Sequence, residues 1–428
     1  MGIFALVISL GVFLLLGMPI AFSLGLSSVI YLITEHGFSM LVMLPQRLFA
    51  GSNSFILTAL PFFIFAGLLM NEGEITPRII NFCLALVGRL RGGLGLVNIL
   101  ASMIFGGISG SSVSDTAAIG SILIPAMKKK GYDEDFSAGV TVASSTVGMI
   151  IPPSIPLVIY AVSSDTSIGK LFLGGAIPGI LIGLFMMIVC YIFSVYKGYP
   201  IEIERFSLSR LFVTLKKGIL ALIMPLVIIG GIVGGVVTPT EAGCLAVVYA
   251  AVVGFFVYRK LKLSNFLNAL VNVTLTTAVI MFIVACATIF SWVLAYEHIP
   301  QKVSSMLLSV STNPMIVLLV VNVFMLICGT FLDVGPAIII LTPVLLPTIL
   351  TIGIDPIHFG VIMIINLAIG LDTPPVGNCL NVASRLTNMS IVKIGKSALP
   401  FLVANLMVLF LASYYRPIVM FLPDLLMK

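Results

Sequence analysis

Long apolar runs separated by short polar segments fill most of this 428-residue chain. A helix that crosses a membrane needs about 20 predominantly apolar residues. Unbroken runs exclude a β-barrel, whose strands alternate lipid-facing and lumen-facing positions. The runs predict helices over 3–33, 55–71, 77–90, 168–196, 218–238, 240–258, 265–296 and 396–422. The polar stretch 197–217 is expected to be a solvated cytoplasmic connection between two halves.

Two other apolar stretches are interrupted by polar tips at 106–116 and 329–336. Each arm of the first has about 12 or 13 apolar residues, or about 20 Å of helix, whereas the hydrocarbon core is about 30 Å thick. Basic residues flank both outer ends, which places both ends in the cytoplasm. The pattern predicts re-entrant helical hairpins over 94–127 and 314–351.

A Pro-Pro pair follows each hairpin, at Pro152-Pro153 and at Pro374-Pro375. Two adjacent prolines remove two backbone donors and clash with the preceding turn, so a continuous helix cannot pass through them. These four prolines therefore predict broken helices over 134–163 and 358–385.

The two halves repeat at an offset of 222 residues, with seven Gly or Pro identities where chance gives about one. Residues 85–131 hold five Lys or Arg and the matching 307–353 hold none, but the bias reverses between 160–176 and 382–398. Because Lys and Arg favour the cytoplasmic side, corresponding loops lie on opposite sides. The sequence predicts an all-α polytopic membrane protein built from an inverted repeat.

The repeat also suggests a division of the chain into five parts. They are scaffold or arm helices over 1–90, a first transport unit over 91–178, scaffold helices over 179–300, a second transport unit over 301–395, and a C-terminal helix over 396–428.

Composition supports the membrane assignment. Hydrophobic residues make up 60% of the chain and charged residues 9%, against about 25% charged in soluble domains. The net charge of +6 comes from short basic clusters at the ends of apolar runs, which fits cytoplasmic loops and argues against nucleic-acid binding.

Polar backbone deep in a bilayer is tolerated where it is buried in protein or lines a cavity. Carbonyls freed at the helix breaks suit sodium, and half-helix N-termini suit a carboxylate. The alternative is that glycine and serine only allow close helix packing. The residues expected to bind sodium are Ser109, Gly110, Ser111, Gly148, Ile151, Gly329, Asp333, Gly370, Asp372 and Thr373. Those expected to contact substrate, between the two tips, are Ser112, Ser154, Thr330, Asn378 and Arg385.

Several ionisable residues have more than one interpretation. Asp115 is expected to cap the second arm of the first hairpin, with cation ligation as the alternative. Asp333 and Asp372 could either cap a helix or coordinate a cation. Glu241 fits a helix start, and Arg385 could meet an anionic substrate or lie at the cytoplasmic interface.

Six motifs in order along the chain resemble the large membrane subunit of tripartite ATP-independent periplasmic (TRAP) transporters. They are Leu60-Pro61-Phe62-Phe63, the tip over 107–112, the break over 150–154, Thr238-Pro239-Thr240-Glu241-Ala242, Gly353-Ile354-Asp355-Pro356 and the break over 373–377. The resemblance implies an elevator-type carrier of the bacterial inner membrane. Sodium would drive it as coupling ion, with no other cofactor.

The resemblance also implies two partners, a small four-helix membrane subunit (Q type) and a periplasmic substrate-binding protein (P type). The cargo would be an organic acid such as a C4-dicarboxylate or sialic acid. A stand-alone sodium–carboxylate symporter and an ion channel remain alternatives. An intramembrane enzyme has no support, because the sequence has no Ser-His, HExxH or paired membrane Asp arrangement.

Overall fold

The computed structural model describes residues 2–201 and 207–427, without the side chain of Arg210. Within these ranges, eight helices are long and apolar enough to cross a membrane. The α-helices are α1 (Gly2–Leu15), α2 (Ile20–His36), α3 (Met43–Ser52), α4 (Ala59–Glu72), α5 (Ile75–Val87), α6 (Gly93–Ser109), α7 (Ser112–Lys129), α8 (Glu134–Ser145), α9 (Ile155–Ser164), α10 (Ile168–Lys197), α11 (Leu208–Val233), α12 (Pro239–Val252), α13 (Leu263–Tyr296), α14 (Ile299–Val310), α15 (Pro314–Phe331), α16 (Val334–Thr351), α17 (Pro356–Leu371), α18 (Asn378–Thr387), α19 (Ile391–Tyr414) and α20 (Pro417–Leu426).

Two of the predicted long helices are in fact helix pairs. The run 3–33 divides into α1 and α2, because Gly17 takes a left-handed φ of 74° and Pro19 precedes the second helix. The run 396–422 divides into α19 and α20, and Pro417 occupies the first position of α20. Such breaks cannot be found from apolar composition alone, because glycine and proline can end a helix without lowering the mean hydropathy of the run much.

The predicted polar connection over 197–217 is partly helical. Helix α11 begins at Leu208, ten residues before the predicted start at 218, while 202–206 fall outside the described residues. Helices α3 and α14 were not predicted. Both are short, at 10 and 12 residues, and polar residues interrupt the apolar sequence of α14. Neither therefore forms an apolar run long enough to indicate a membrane helix. The expected helix start at Glu241 is confirmed, because Thr238 and Glu241 form a capping box at α12.

The two hairpins are present, as α6 with α7 and α15 with α16. Their arms have 17 or 18 residues, or about 26 Å, so the predicted arm length of 12 or 13 residues was wrong. The polar residues near each tip are helical rather than part of a long loop. The first tip nevertheless lies level with the break of the next helix, and α9 extends 10 residues beyond that break. The hairpin is therefore re-entrant.

The repeat is visible in the element boundaries. Helix α7 covers 112–129 and α16 covers 334–351, an offset of 222 at both ends. Helices α5 and α14, α6 and α15, α8 and α17, and α9 and α18 correspond within a few residues. The breaks also correspond, and both Pro152-Pro153 and Pro374-Pro375 bonds are cis.

Packing between the two copies is crossed. The second arm of the first hairpin, α7, packs against α18, which is the second half of the other copy's broken helix. Correspondingly, α16 of the second hairpin packs against α9 of the first copy. Helices α10 and α19 flank the broken helices α17 and α8. The division into transport and scaffold parts stays a prediction.

Buried side-chain hydrogen bonds hold each hairpin against its broken helix. In the first copy, Asn98 of α6 donates to Thr141 of α8 at 2.6 Å, and the Ser102 and Ser144 hydroxyls lie 2.9 Å apart. In the second copy, Asn366 of α17 donates to Asn322 of α15 at 3.1 Å. Polar groups in an apolar interior stabilise only the arrangement that pairs them. These networks therefore fix the height of each tip relative to its break.

Outside the membrane segments, Asp133 links the start of α8 to the end of α10. Its Oδ2 accepts a hydrogen bond from the Tyr199 hydroxyl at 2.9 Å and lies 3.2 Å from the Lys197 ammonium. The Tyr199 hydrogen bond, followed by the charge of Lys197, lowers the pKa of Asp133 below its ordinary value.

We expect Tyr199→Phe to lower the free energy of unfolding by less than about 1 kcal/mol, because the carboxylate is half exposed. Because the pKa of Asp133 is lowered in the folded protein, its ionised carboxylate stabilises the fold at pH values above the ordinary aspartate pKa of about 3.9. That stabilisation is lost as the pH falls through the lowered pKa. The loss of melting temperature in detergent should therefore be present at pH 7 and shrink below pH 4. Tyr196→Phe, at an exposed position, is the control. An equal loss at both pH values would contradict the role of the carboxylate.

Candidate functional site

The first hairpin tip lies directly against the first helix break. A Cβ atom at Gly106 would collide with the backbone of Gly148, and one at Gly107 would lie 3.1 Å from the Pro152 carbonyl oxygen. Gly110 has a left-handed φ of 62° and lies against Ile155. The backbones meet at distances that only glycine allows. The structure thus brings the predicted residues Ser109, Gly110, Ser111, Gly148 and Ile151 into one region, which we call the first tip–break region.

The prolines leave carbonyl oxygens without helical donors. In a continuous α-helix, the carbonyl of residue i accepts from the N–H of residue i+4. Gly148 would need the N–H of Pro152, and Leu371 would need that of Pro375, and proline has none. Each break therefore offers a carbonyl oxygen that can serve as a ligand.

Asp115 belongs to the first tip–break region, although capping of α7 was the favoured expectation for it and ligation the alternative. Ser111 performs the capping by accepting from the Ser114 N–H. Asp115 is 1% exposed, and its Oδ1 accepts a hydrogen bond from the Ser109 hydroxyl. Its Oδ2 has no hydrogen-bond partner among the described residues and lies where a Cβ at Gly148 would be. The signal was available, since an acidic residue inside an apolar span favours a functional role.

The second hairpin tip meets the second break in the same way. A Cβ at Gly370 would lie 2.5 Å from the carbonyl carbon of Gly329. Just beyond, the Thr373 hydroxyl donates to the Ile369 carbonyl at 2.8 Å. The structure brings Gly329, Gly370, Asp372 and Thr373 together in the second tip–break region.

Asp372 is fully buried, and no nitrogen or oxygen donor in the described part of the chain pairs with its carboxylate oxygens, whose polar neighbour is the Cys379 thiol. An unpaired buried charge costs several kcal/mol or more, and the cost is removed by an opposite charge, by metal coordination or by protonation of the carboxylate. Asp372 accepts no hydrogen bond from a helix N–H among the described residues, which argues against capping, and cation coordination stays a prediction.

Buried polar side chains connect the two copies next to Asp372. Cys379, near the start of α18, lies beside Asp372 and Thr116, and it accepts from the Ser145 hydroxyl at 3.7 Å. Ser112, predicted to contact substrate, donates to the Ser145 carbonyl at 2.6 Å. Sequence reasoning missed Thr116, Ser145 and Cys379, because their significance depends on the crossed packing of α7 and α18.

The remaining predicted residues lie in several environments. Ser154 is buried and caps α9, where it accepts from the Leu157 N–H at 3.4 Å. Thr330 is half-buried and donates to the Ile327 carbonyl, and Asn378 is half-buried at the first position of α18.

Two charged residues of the predicted site are exposed. Asp333 accepts from the Val334 N–H at 2.8 Å and caps α16, so its geometry supports the capping interpretation. Arg385 lies in the last turn of α18. Neither of these residues joins a tip–break region.

Residues 7–418 match the family model described as "Tripartite ATP-independent periplasmic transporter, DctM component". The chain belongs to this family. It is thus a transporter permease subunit rather than an enzyme, and the resemblance seen in its motifs is confirmed.

Curated relatives of this DctM-family chain carry different substrate names. The sialic acid TRAP transporter large permease protein SiaM of Vibrio cholerae is 41% identical over 96% of this chain and 95% of that protein. The C4-dicarboxylate TRAP transporter large permease protein DctM of Pseudomonas aeruginosa is 42% identical over 88% of each chain. The isethionate TRAP transporter permease protein DctMQ of Oleidesulfovibrio alaskensis is 41% identical over 96% of this chain, which spans 64% of that protein.

Among solved structures, the Alcanivorax borkumensis YdaH transporter has a similar fold. The TM-score is 0.61, with 15% sequence identity and 90% of each chain covered. The likeness supports the polytopic transporter fold.

Proposed function

We propose that this permease subunit imports an organic acid driven by sodium. In the proposed cycle, sodium binds in the two tip–break regions, the substrate carboxylate lies between the tips, and the two transport units move as an elevator. The observation that carries the proposal is the pair of buried carboxylates, Asp115 and Asp372, with three oxygens unpartnered within the described residues.

The ligand chemistry supports sodium. Unwound carbonyls and half-helix ends are what sodium-coupled transporters use near the membrane midplane. Ser109, Gly148 and Asp115 supply oxygen in the first region, and Asp372 and Thr373 supply it in the second. The N-termini of α9 and α18, which begin just after the breaks, provide free N–H groups for an anionic substrate.

We further propose that the chain works in the bacterial inner membrane with a small Q-type membrane subunit and a periplasmic P-type substrate-binding protein. The names of its relatives, which include a fused DctMQ protein, support this arrangement. The same names extend over sialic acid, C4-dicarboxylates and isethionate, so the proposed cargo is a small organic acid anion.

The test is reconstitution in liposomes with candidate partner subunits and a panel of labelled acids. We expect uptake of one acid only when both partners are present, and only with an inward sodium gradient. Uptake by this chain alone would favour a stand-alone symporter, and conductance without a partner or substrate would favour a channel. Uptake that is equal with potassium in place of sodium would overturn the coupling.

A further inference from the structure

A narrow apolar groove runs between α11 and α12 on the protein surface. Its volume is about 340 Å³. Three lining side chains, Val227, Leu245 and Val248, are about half exposed, so the groove is open along its length. In a membrane protein this opening faces lipid or a neighbouring apolar segment.

The groove is apolar, elongated and open to the bilayer, which are the features that a site for a hydrocarbon chain needs. Its lining extends along α12 from Ala242 to Val252, which is about 15 Å. Non-bonded carbons attract best at about 3.5–4.0 Å, and an acyl chain in the groove would make such contacts with the aliphatic side chains that line it.

Two exposed lysines lie on the groove face of α11, toward the end that the charge pattern places in the cytoplasm. Lys217 precedes Met224 by seven residues and Lys216 precedes Val227 by eleven, separations that keep side chains on one helical face. Lys217 is about 10 Å above Met224 along the axis. Neither lysine forms an ion pair with any described residue.

Arg78 and Tyr258 fix the position of this basic end. The Arg78 guanidinium lies 3.8 Å from the Tyr258 ring centroid, and the Tyr258 hydroxyl donates to the Lys217 carbonyl at 3.1 Å. The Arg78 Nε atom is buried without a hydrogen-bond partner in 2–201 and 207–427. Glu74, just before α5, is paired with Lys260 at 3.1 Å. Among the residues that the structure describes, this end of the groove therefore carries more positive than negative charge.

We propose that this groove binds an anionic phospholipid. One acyl chain occupies the space between α11 and α12, and the phosphate contacts Lys216 and Lys217 at the cytoplasmic interface. Basic pockets between transmembrane helices on this side are suited to anionic headgroups, and the apolar walls immediately below supply the second half of the recognition.

The test uses the full chain purified in detergent, with phosphatidylglycerol and phosphatidylcholine as probes and native mass spectrometry to count retained lipids. Lys216→Gln/Lys217→Gln removes the headgroup contacts, and Val248→Trp fills the groove from a half-exposed position. Lys393→Gln/Lys396→Gln, an exposed pair at the start of α19, removes the same charge elsewhere and is the matched control.

We expect wild type and the control to retain phosphatidylglycerol in preference to phosphatidylcholine. The first variant should lose that preference by about 30-fold, since each basic residue near an anionic surface contributes about fivefold. Val248→Trp should retain neither lipid. Equal retention by wild type and the two groove variants would overturn the proposal. Displacement of bound phosphatidylglycerol by the small membrane subunit would also overturn it, since the groove would then be a protein-docking face.

Discussion

Gly370→Ala should abolish most transport while leaving the protein folded in the membrane. The added Cβ would lie 2.5 Å from the Gly329 carbonyl carbon, and backbone cannot move aside as a flexible side chain can. Overpacking of this kind costs about 1–3 kcal/mol. That cost lowers the population of the closed tip–break arrangement by about 5- to 150-fold. Sodium-driven uptake in liposomes, normalised to inserted protein, measures the effect.

Gly230→Ala is the matched control for this prediction. Gly230 lies inside α11 with nothing within 4 Å of an added Cβ, and alanine is the better helix former. The control should therefore transport like the wild type. Because Gly329 and Gly370 oppose each other, the Gly329→Ala/Gly370→Ala double variant should lose less than the sum of the two single losses. Normal uptake by Gly370→Ala would mean that the close approach is dispensable.

Asp372→Asn should raise the sodium concentration needed for half-maximal uptake by at least tenfold. The substitution keeps the size of the side chain and removes its charge. Interactions with a charged partner contribute about 1.5–3 kcal/mol at a buried site. The measurement is initial uptake against sodium concentration in proteoliposomes that contain both partner subunits.

Asp333→Asn makes the same chemical change at an exposed helix cap. Asparagine caps helices as well as aspartate does, so this control should keep the sodium dependence of the wild type. Ser111→Ala and Thr373→Ala should also weaken sodium dependence, but the Ser111 change removes the cap of α7 as well. An unchanged sodium response in Asp372→Asn would identify Asp372 as a neutral buried group and remove it from the coupling site.

The sequence predicted the features that covalent structure dictates. Proline cannot donate a backbone hydrogen bond, so Pro152-Pro153 and Pro374-Pro375 each require a break in the helix, whatever the surrounding tertiary packing. The offset of 222 predicted the pairing of α7 with α16. It could not predict the lengths of the hairpin arms, because Ser109 and Ser112 are compatible with a helix once tertiary packing satisfies them.

The site was predicted only as far as it depends on nearby residues. The tips and breaks could be found from Gly148 and Gly370, since glycine beside a break indicates close backbone approach. The role of Asp115 was misjudged because capping by Ser111 cannot be distinguished from capping by Asp115 in sequence alone. Cys379 and Ser145 come together across 234 positions, and no local pattern carries that information.

Because α7 packs on α18 and α16 packs on α9, each copy of the repeat is held by contacts with the other. Each hairpin packs against a half-helix of the opposite copy. Neither hairpin can therefore move away without breaking contacts between the two copies. A movement of one hairpin therefore disturbs a half-helix of the other copy. In the proposed cycle, this shared packing would make the two tip–break regions change together.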